Sequence, residues 1–304
     1  MQRQQMAPNG PEFSKIVMGF WRLHTWGKSP SELASFIEQC LEIGVTTMDH
    51  ASLYGNFGNP SCEGLFGEAL KQQPALREKI EIVTKCGINL IPPTEQSSRV
   101  NHYDASANAI QASVEQSLQR LGVEQIDVLL IHRPDYLLDA DEVARTFEGL
   151  HRSGKVAHFG VSNFSVEQFD LLQSRLSTPL VTNQVEISPL NTAILDSGVL
   201  DQCQRLRVSP MAWSCLGGGR LFDESNEVAQ RCLPVLQQVA AEIGARSVDE
   251  VLYAWVLALP CKPTPIVGSG KIARVQTAVN ALELSMSREQ WARIWVAAKG
   301  HGLP

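Results

Sequence analysis

The sequence alternates short, β-branched apolar runs with longer segments whose apolar residues recur at helical spacing. Strands that alternate with helices eight times over about 250 residues are typical of a parallel (β/α)8 barrel. We therefore predict one α/β domain, a (β/α)8 TIM barrel over residues 1–304, in which residues 1–13 form a flexible N-terminal segment. The predicted strands are Ile16–Gly19, Val45–Asp49, Ile80–Lys85, Ile126–His132, Val156–Val161, Val181–Val185, Val208–Trp213 and Thr264–Val267.

Start and stop signals flank the helical segments. The first covers Ser31–Ile43, and another covers Ala105–Leu121, where apolar residues form one stripe. Polar residues that cap helices come before three such segments, and glycines follow two of them. We predict N-caps at Ser29, Asp104 and Ser165, and helix ends at Gly44 and Gly122.

An open, doubly wound sheet is the alternative fold. Its first strand-to-helix turn needs a glycine-rich fingerprint, but the turn after Gly19 reads Phe20-Trp21-Arg22. The G-x-G-x-x-A match at Gly268–Ala273 instead follows the eighth strand, which is where a TIM barrel commonly binds phosphate. The barrel is therefore favoured.

Composition and charge favour a small-molecule partner. Lys and Arg number 26 against 32 Asp and Glu, giving a net charge of -6, and no basic run favours nucleic acid or an anionic membrane. Neither a signal peptide nor a membrane span is evident, so we expect a cytoplasmic location. Seven scattered cysteines lack disulfide or zinc spacing, so we expect free thiols and no metal: Cys40, Cys62, Cys86, Cys203, Cys215, Cys232 and Cys261.

Polar side chains stand at the ends of the predicted strands, where barrel enzymes carry their chemistry. Lys85 ends an apolar strand, so its charge needs a partner, and Asp49 on the neighbouring strand is suited to that role. Tyr54 follows in a short loop that Gly55 allows to turn. A nearby ammonium lowers the pKa of a phenol, which would make Tyr54 a general acid. A purely structural ion pair is the alternative.

His132 follows the fourth strand, where a neutral imidazole can donate a hydrogen bond to a carbonyl oxygen. The chain has no serine or cysteine nucleophile motif and no H-E-x-x-H pair. Proton transfer to a carbonyl oxygen is therefore indicated, with a hydride cofactor supplying electrons. A barrel isomerase or aldolase with Lys85 as Schiff-base amine is a further alternative.

Five short motifs follow one another along the chain: Asp49-x4-Tyr54-Gly55, Val83-Thr84-Lys85, Leu130–Asp135, Gly160–Phe164 and Asn183–Glu186. Together they resemble the aldo-keto reductase superfamily, and the form Ile131-His132-Arg133-Pro134-Asp135 is similar to that of its bacterial oxidoreductase branch. The resemblance implies a barrel enzyme that reduces an aldehyde or ketone with NAD(P)H, usually NADPH. It also implies that Tyr54 is the general acid, that Asp49 and Lys85 tune it, and that His132 orients the carbonyl.

The resemblance also implies a cofactor site. Ser162, Asn163 and Gln184 would hold the nicotinamide carboxamide, and Trp213 would stack on the ring. The loops after strands seven and eight would hold the phosphates and the adenosine. Ser214, Leu216 and Gly218 match the first of these loops, and Ser269 and Arg274 match the second. Gly268, Gly270 and Lys271 of the G-x-G-x-x-A segment are further candidates for the cofactor site.

Two departures concern the cofactor. Gly268 stands where some branches have a Lys for the 2'-phosphate, and Ala278 where Asn is common, so NADP is expected with NAD as the alternative. A regulatory or scaffold protein that keeps the barrel and its cofactor is the alternative to an enzyme. For the substrate rim we name Trp21, Trp26, Phe57 and the loop 88–103.

Overall fold

A computed structural model describes residues 3–55, 61–223 and 225–302 of the chain. Parallel strands close into a barrel of eight, as the sequence predicts. Each strand pairs with its neighbours in chain order, and the last pairs with the first. The barrel strands are β1 (Val17–Gly19), β2 (Thr47–Asp49), β3 (Glu81–Cys86), β4 (Ile126–Ile131), β5 (Val156–Ser162), β6 (Leu180–Glu186), β7 (Met211–Trp213) and β8 (Thr264–Val267).

Helices follow the strands and cover the outside of the barrel. Several have an apolar face that packs on the strands and a polar face toward solvent. The last helix packs on the eighth. The helices of the described residues are α1 (Pro30–Glu42), α2 (Cys62–Gln72), α3 (Ala107–Leu121), α4 (Ala140–Arg152), α5 (Val166–Gln173), α6 (Ala193–Asp196), α7 (Val199–Leu206), α8 (Glu227–Ile243), α9 (Val248–Leu257), α10 (Ile272–Asn280) and α11 (Arg288–Lys299).

The N-terminal segment differs from the expectation of a flexible stretch over residues 1–13. Arg3–Gln5 and Glu12–Ser14 pair as an antiparallel hairpin. Met6 and Phe13 are fully buried and pack with strand side chains such as Val83 inside the barrel. Burial of two large apolar side chains supplies the free energy that orders this segment. The hairpin therefore closes the end of the barrel at which the strands begin.

The helix caps mostly agree with the sequence signals. Confirmed positions are the capping boxes at Ser29 and Ser165 and the left-handed C-cap at Gly122. Asp104 was a wrong prediction, because α3 begins at Ala107 and Ser106 is its N-cap. The Asp104 carboxylate instead accepts the Ser106 backbone N–H at 3.0 Å, which orders the turn ahead of the helix.

Two long connections extend the face where the strands end. The segment after β3 folds back as a ribbon in which Ile88–Asn89 pairs with His102–Tyr103. The segment after β7 contains a 3-10 helix over Gly217–Phe222, with positive φ at Gly218 and Gly219. Because the strands of a barrel run parallel, both segments lie at the mouth that carries the strand-end polar groups.

Other expectations concern cysteines, metals and membranes. The seven cysteines are free and buried. Among the described residues, no group of three or more His, Cys, Asp or Glu is placed to hold a metal ion. In the same residues, no helix has the length and apolar character of a membrane span.

Candidate active site

Lys85 is the centre of the polar cluster at the barrel mouth. Its side chain is fully buried, and its Nζ donates to both Asp49 carboxylate oxygens at 2.8 Å. It also donates to the His50 carbonyl at 2.6 Å and to the Tyr54 hydroxyl at 3.1 Å. Strands β2 and β3 are neighbours in register, so their ends bring the two charges together. A buried ammonium is thus fully hydrogen-bonded.

Backbone hydrogen bonds hold the loop that carries Tyr54. The Ser52 N–H donates to the Lys85 carbonyl at 3.0 Å, and the Cys62 N–H donates to the Tyr54 carbonyl at 3.0 Å. Gly55 has φ +79°, and a Cβ there would lie 2.8 Å from the Cys62 nitrogen. Only glycine fits this turn without strain. The loop therefore folds Tyr54 back over the end of β3.

The His132 ring lies against the Tyr54 ring. The backbone N–H of His132 donates to the Cys86 carbonyl at 2.9 Å, and its ring stands roughly perpendicular to the Tyr54 ring with centroids 5.9 Å apart. Burial, followed by the charges of Lys85 and Arg133, lowers the pKa of His132 well below its ordinary value. The imidazole is therefore neutral at physiological pH.

The electrostatics of Tyr54 differ from the sequence prediction. We expected the Lys85 ammonium to lower the pKa of this phenol. Lys85 does act in that direction, but burial raises the pKa of Tyr54 above its ordinary value, and Asp49 adds to the increase. The expectation overlooked the cost of placing a phenolate in a buried site. Tyr54 consequently keeps its proton at neutral pH.

Lys85 and Asp49, which lie next to Tyr54, form a pair of opposite charges. Burial disfavours the Lys85 ammonium, but the Asp49 carboxylate and Tyr54 together raise the pKa of Lys85 above its usual value. Burial raises the pKa of Asp49, and Lys85 opposes this increase, as does Gln184. Two opposite charges in contact stabilise each other where neither would ionise alone.

His50 lies next to the cluster of Lys85, Asp49 and Tyr54, but its ring makes no hydrogen bond to these residues in the described part of the chain. Its ring is fully buried and stacks on Phe20 with centroids 4.7 Å apart. Neither ring nitrogen has a hydrogen-bond partner within the described part of the chain. Burial lowers the pKa of His50 to about 3, so the ring is uncharged and behaves as an aromatic core group. Only its backbone carbonyl touches Lys85.

The three residues expected at the nicotinamide carboxamide lie side by side at the ends of β5 and β6. Ser162 donates to the Gln184 carbonyl at 2.9 Å, and the Asn163 side chain donates to Ser162 at 2.7 Å. Asn163 has a positive φ of 60°, a strained backbone of the kind that collects at functional sites. Gln184 also reaches inward, since its Nε2 donates to Asp49 at 2.8 Å. The amide thus joins the expected carboxamide site to the ion pair.

The loops after β7 and β8 provide the remaining expected cofactor residues. Trp213 and Leu216 are half-buried, Gly218 is exposed, and Ser214 has a positive φ of 52°. In the β8 loop, Gly268, Lys271 and Arg274 are exposed while Ser269 and Gly270 are half-buried.

Helix α10 starts without a side-chain cap, unlike α1 or α3. Its N-cap residue is Lys271, so backbone N–H groups of the first turn remain available to an anion, and the helix dipole favours one there. The donors present therefore fit a phosphate-bearing dinucleotide. Ser269 alone contributes a hydroxyl in this turn, accepting from the Lys271 N–H at 3.4 Å.

The rim of the mouth is partly aromatic. Trp21 is exposed, and its ring lies under the Arg22 guanidinium at 5.1 Å. Trp26, which we named for the substrate rim, packs against Phe36 and against Gly270, where a Cβ would meet its ring at 2.6 Å. Phe57 lies outside the described residues. Exposed aromatic side chains on the same face include Tyr103, Tyr136 and Phe222.

Sequence reasoning missed two charged residues behind the mouth, Glu63 and Arg120. Glu63 is fully buried in the first turn of α2, and Arg120 lies near the end of α3. An acidic residue early in a helix is usually a solvated partner of the helix dipole, so no local signal marks Glu63. Its burial depends on how α2 and α3 pack on β3.

The closed barrel and the charged cluster at its strand ends define a TIM-barrel enzyme. The chain belongs to the aldo/keto reductase family, whose family model matches residues 15–298. It is therefore an oxidoreductase of that family, as the five motifs indicated.

Named relatives agree with this assignment, and a solved structure matches the fold. The chain is 55% identical over 304 residues to the oxidoreductase YdhF of Escherichia coli strain K12, covering 100% of both chains. It is 44% identical over 290 residues to a 6-dehydroglucose reductase of Agrobacterium fabrum strain C58, covering 95% of both. The fold matches a crystal structure of the thermostable aldo-keto reductase Tm1743 with TM-score 0.80 and 24% identity, covering 98% of this chain and 100% of that chain.

Proposed function

We propose that this protein reduces an aldehyde or ketone to an alcohol with NADPH, and that Tyr54 is the proton donor. The observation that carries the proposal is the Tyr54 hydroxyl, 3.1 Å from the Nζ of Lys85, which is itself buried on Asp49. Carbonyl reduction is general to the family. In this arrangement the positive charge stabilises the phenolate that forms as Tyr54 gives up its proton.

The protonation states suit this direction of reaction. Tyr54 holds its proton because burial raises its pKa, and the neutral His132 can donate a hydrogen bond to the substrate oxygen without competing for its proton. The carbonyl oxygen would lie between these two groups. A bound reduced nicotinamide would supply the hydride. Residues of the chain thus polarise the oxygen and deliver the proton.

NADPH is the proposed cofactor and NADH the alternative. Ser162, Asn163 and Gln184 would bind the carboxamide, while Trp213 would cover the ring. The uncapped start of α10 would take a phosphate, with Lys271 and Arg274 as cations beside it. These two charges support the 2'-phosphorylated form.

A Schiff-base mechanism has less support. An amine attacks a carbonyl only when it is neutral, but Asp49 and Tyr54 raise the pKa of Lys85 above its usual value. Lys85 therefore serves better as a permanent cation. A regulatory or scaffold role would not need the charged cluster that this mouth retains.

The substrate class we favour is an aldehyde of a sugar or a similar polyol. A relative that is 44% identical bears the name 6-dehydroglucose reductase. Exposed aromatic rings at the mouth, such as Trp21 and Tyr103, can stack on a sugar ring. This substrate class supplies the first compounds to assay.

The function is tested by following NADPH and NADH absorbance with a panel of sugar aldehydes, simple aldehydes, ketones and quinones. We expect carbonyl-dependent oxidation of NADPH, with sugar aldehydes among the better substrates. Tight NADPH binding with no turnover across the panel would favour the scaffold alternative. Reduction with NADH alone would contradict the cofactor assignment.

The pH dependence of reduction follows from the two pKa shifts. The pKa of Tyr54 is raised, so the phenol remains a donor in mildly alkaline solution, and the pKa of His132 is lowered, so the imidazole stays neutral in mildly acidic solution. We expect kcat for reduction to be flat between about pH 6 and about pH 9. Steady-state rates at saturating substrate measure this. An inflection near the ordinary pKa of histidine would contradict it.

A further inference from the structure

Glu63 is a buried carboxylate that the proposed reaction does not use. It is the second residue of α2 and is fully buried outside the barrel wall, behind β3. Its Oε1 accepts from the Thr84 hydroxyl at 2.7 Å, and its Oε2 lies 3.7 Å from the Arg120 Nη1. Thr84 directly precedes Lys85 in the chain, so this carboxylate adjoins the residue at the centre of the cluster. Burying a carboxylate costs free energy, so the presence of Glu63 at this position needs a structural or functional explanation.

Arg120 connects this carboxylate to the catalytic loop, defined here as residues 50–55. Its Nη1 donates to the Ser52 carbonyl at 3.1 Å. The Ser52 N–H in turn donates to the Lys85 carbonyl at 3.0 Å. Both backbone polar groups of Ser52 are therefore fixed, one by the strand that carries Lys85 and the other by Arg120.

A second connection between Glu63 and the catalytic loop runs through the first turn of α2. Cys62, the residue before it, donates its N–H to the Tyr54 carbonyl at 3.0 Å. The catalytic loop is thus held at Ser52 by Arg120 of α3 and at Tyr54 by the first residue of α2, which adjoins the buried Glu63.

The packing of α2 on α3 fixes the distance between the two charges. A Cβ at Gly67 would lie 2.1 Å from the Arg120 carbonyl, so the helices approach closely at this glycine. Such an approach leaves little freedom for Arg120 to move away from Glu63. The charges, the hydroxyl and the loop are therefore linked by a continuous set of short contacts.

We propose that Glu63 and Arg120 are positioning residues that hold the catalytic loop so that the Tyr54 hydroxyl stays on the Lys85 Nζ. Neither side chain touches the reacting atoms. The inference rests on the proposed function, in which Tyr54 donates the proton. Because small displacements of a reacting group greatly reduce rates, loss of this support lowers turnover before it affects binding elsewhere.

The test is Arg120→Met, which removes the guanidinium and keeps an aliphatic stem. The Arg120 side chain is 37% exposed, so methionine fits at this position. We expect kcat to fall by about tenfold or more, since a misplaced reacting group costs up to about a hundredfold. The Kd of NADPH, measured by tryptophan fluorescence, should change by less than about twofold, because the expected cofactor residues lie after β5 to β8.

A matched control exists at the other end of the same strand. Arg77 Nη2 pairs with Asp127 at 3.0 Å, and Asp127 accepts the Ile82 N–H at 2.8 Å. This pair also lies outside the barrel against β3, but away from the mouth. Arg77→Met should therefore leave kcat near the wild-type value.

The outcomes separate the hypotheses. A fall in kcat for Arg120→Met alone, at unchanged NADPH affinity, supports positioning. Equal effects of Arg120→Met and Arg77→Met, or parallel losses of kcat and NADPH affinity, overturn it. If Arg120→Met does not fold, Glu63→Gln is judged by the same criteria, since it keeps an acceptor for Thr84. If Tyr54→Phe keeps its turnover, the proposed function fails. If Tyr54→Phe loses its turnover but Arg120→Met keeps the wild-type kcat, only this inference is overturned.

Discussion

Tyr54→Phe should reduce turnover by a factor of about 10² to 10⁴, the range that a positioned general acid contributes. The substitution removes one oxygen and leaves the ring. Lys85 keeps its bonds to both Asp49 oxygens and to the His50 carbonyl, so the ion pair survives. What is lost is the proton that must reach the substrate oxygen as the alcohol forms. Phenylalanine has none to give.

The measurement is kcat for NADPH-dependent reduction, together with the Kd of NADPH. The expected cofactor residues lie after β5 to β8, so affinity should remain at the wild-type value. Tyr136→Phe is the matched control, because this tyrosine lies after β4 at the same mouth and is 92% exposed. We expect it to be as active as the wild type. Wild-type turnover in Tyr54→Phe would remove the proton donor from the proposal.

Most of the fold could be predicted because it depends on local patterns. Eight apolar runs gave eight barrel strands, since each run is continuous, and several helices between them begin at a capping residue such as Ser29 or Ser165. The N-terminal segment could not be predicted in this way. Its strands, Arg3–Gln5 and Glu12–Ser14, are short and polar, and they are ordered by Met6 and Phe13, which contact residues distant in sequence.

The candidate site was only partly predictable. Strand ends with Asp49, Lys85 and His132 pointed to one mouth, because parallel strands must end on the same face. The pKa direction of Tyr54 was not predictable, because it depends on burial, which no local motif encodes. Arg120 was not predictable either, since its contact with Ser52 spans 68 residues and depends on helix packing.

Lys85→Met should both inactivate and destabilise the protein. The variant leaves the Asp49 carboxylate buried beside an apolar side chain, and among the described residues the Gln184 amide is its one remaining side-chain donor. Breaking a buried pair by removing one partner typically costs about 3–5 kcal/mol. Chemical denaturation at neutral pH measures this loss of unfolding free energy. Turnover should fall as well, because no cation remains to stabilise the Tyr54 phenolate.

The loss of stability should depend on pH in a defined direction. Without Lys85, burial raises the pKa of Asp49 in the folded state above the unfolded value, and the hydrogen bond from Gln184 is left to oppose it. The folded variant then binds more protons than the unfolded chain, so its stability increases as the pH falls toward the ordinary pKa of aspartate. A deficit that stays constant on acidification would show that the destabilisation is steric.

The double variant Asp49→Asn/Lys85→Met separates the two roles of the pair. Asparagine keeps the shape of Asp49 and can still accept from Gln184, while no charge is left buried. Replacing a whole buried pair by neutral groups is often close to neutral for stability. We therefore expect the double variant to regain most of the unfolding free energy lost in Lys85→Met and to remain inactive. Recovery of turnover along with stability would mean that the ion pair only supports the fold, and that Tyr54 needs no cation beside it.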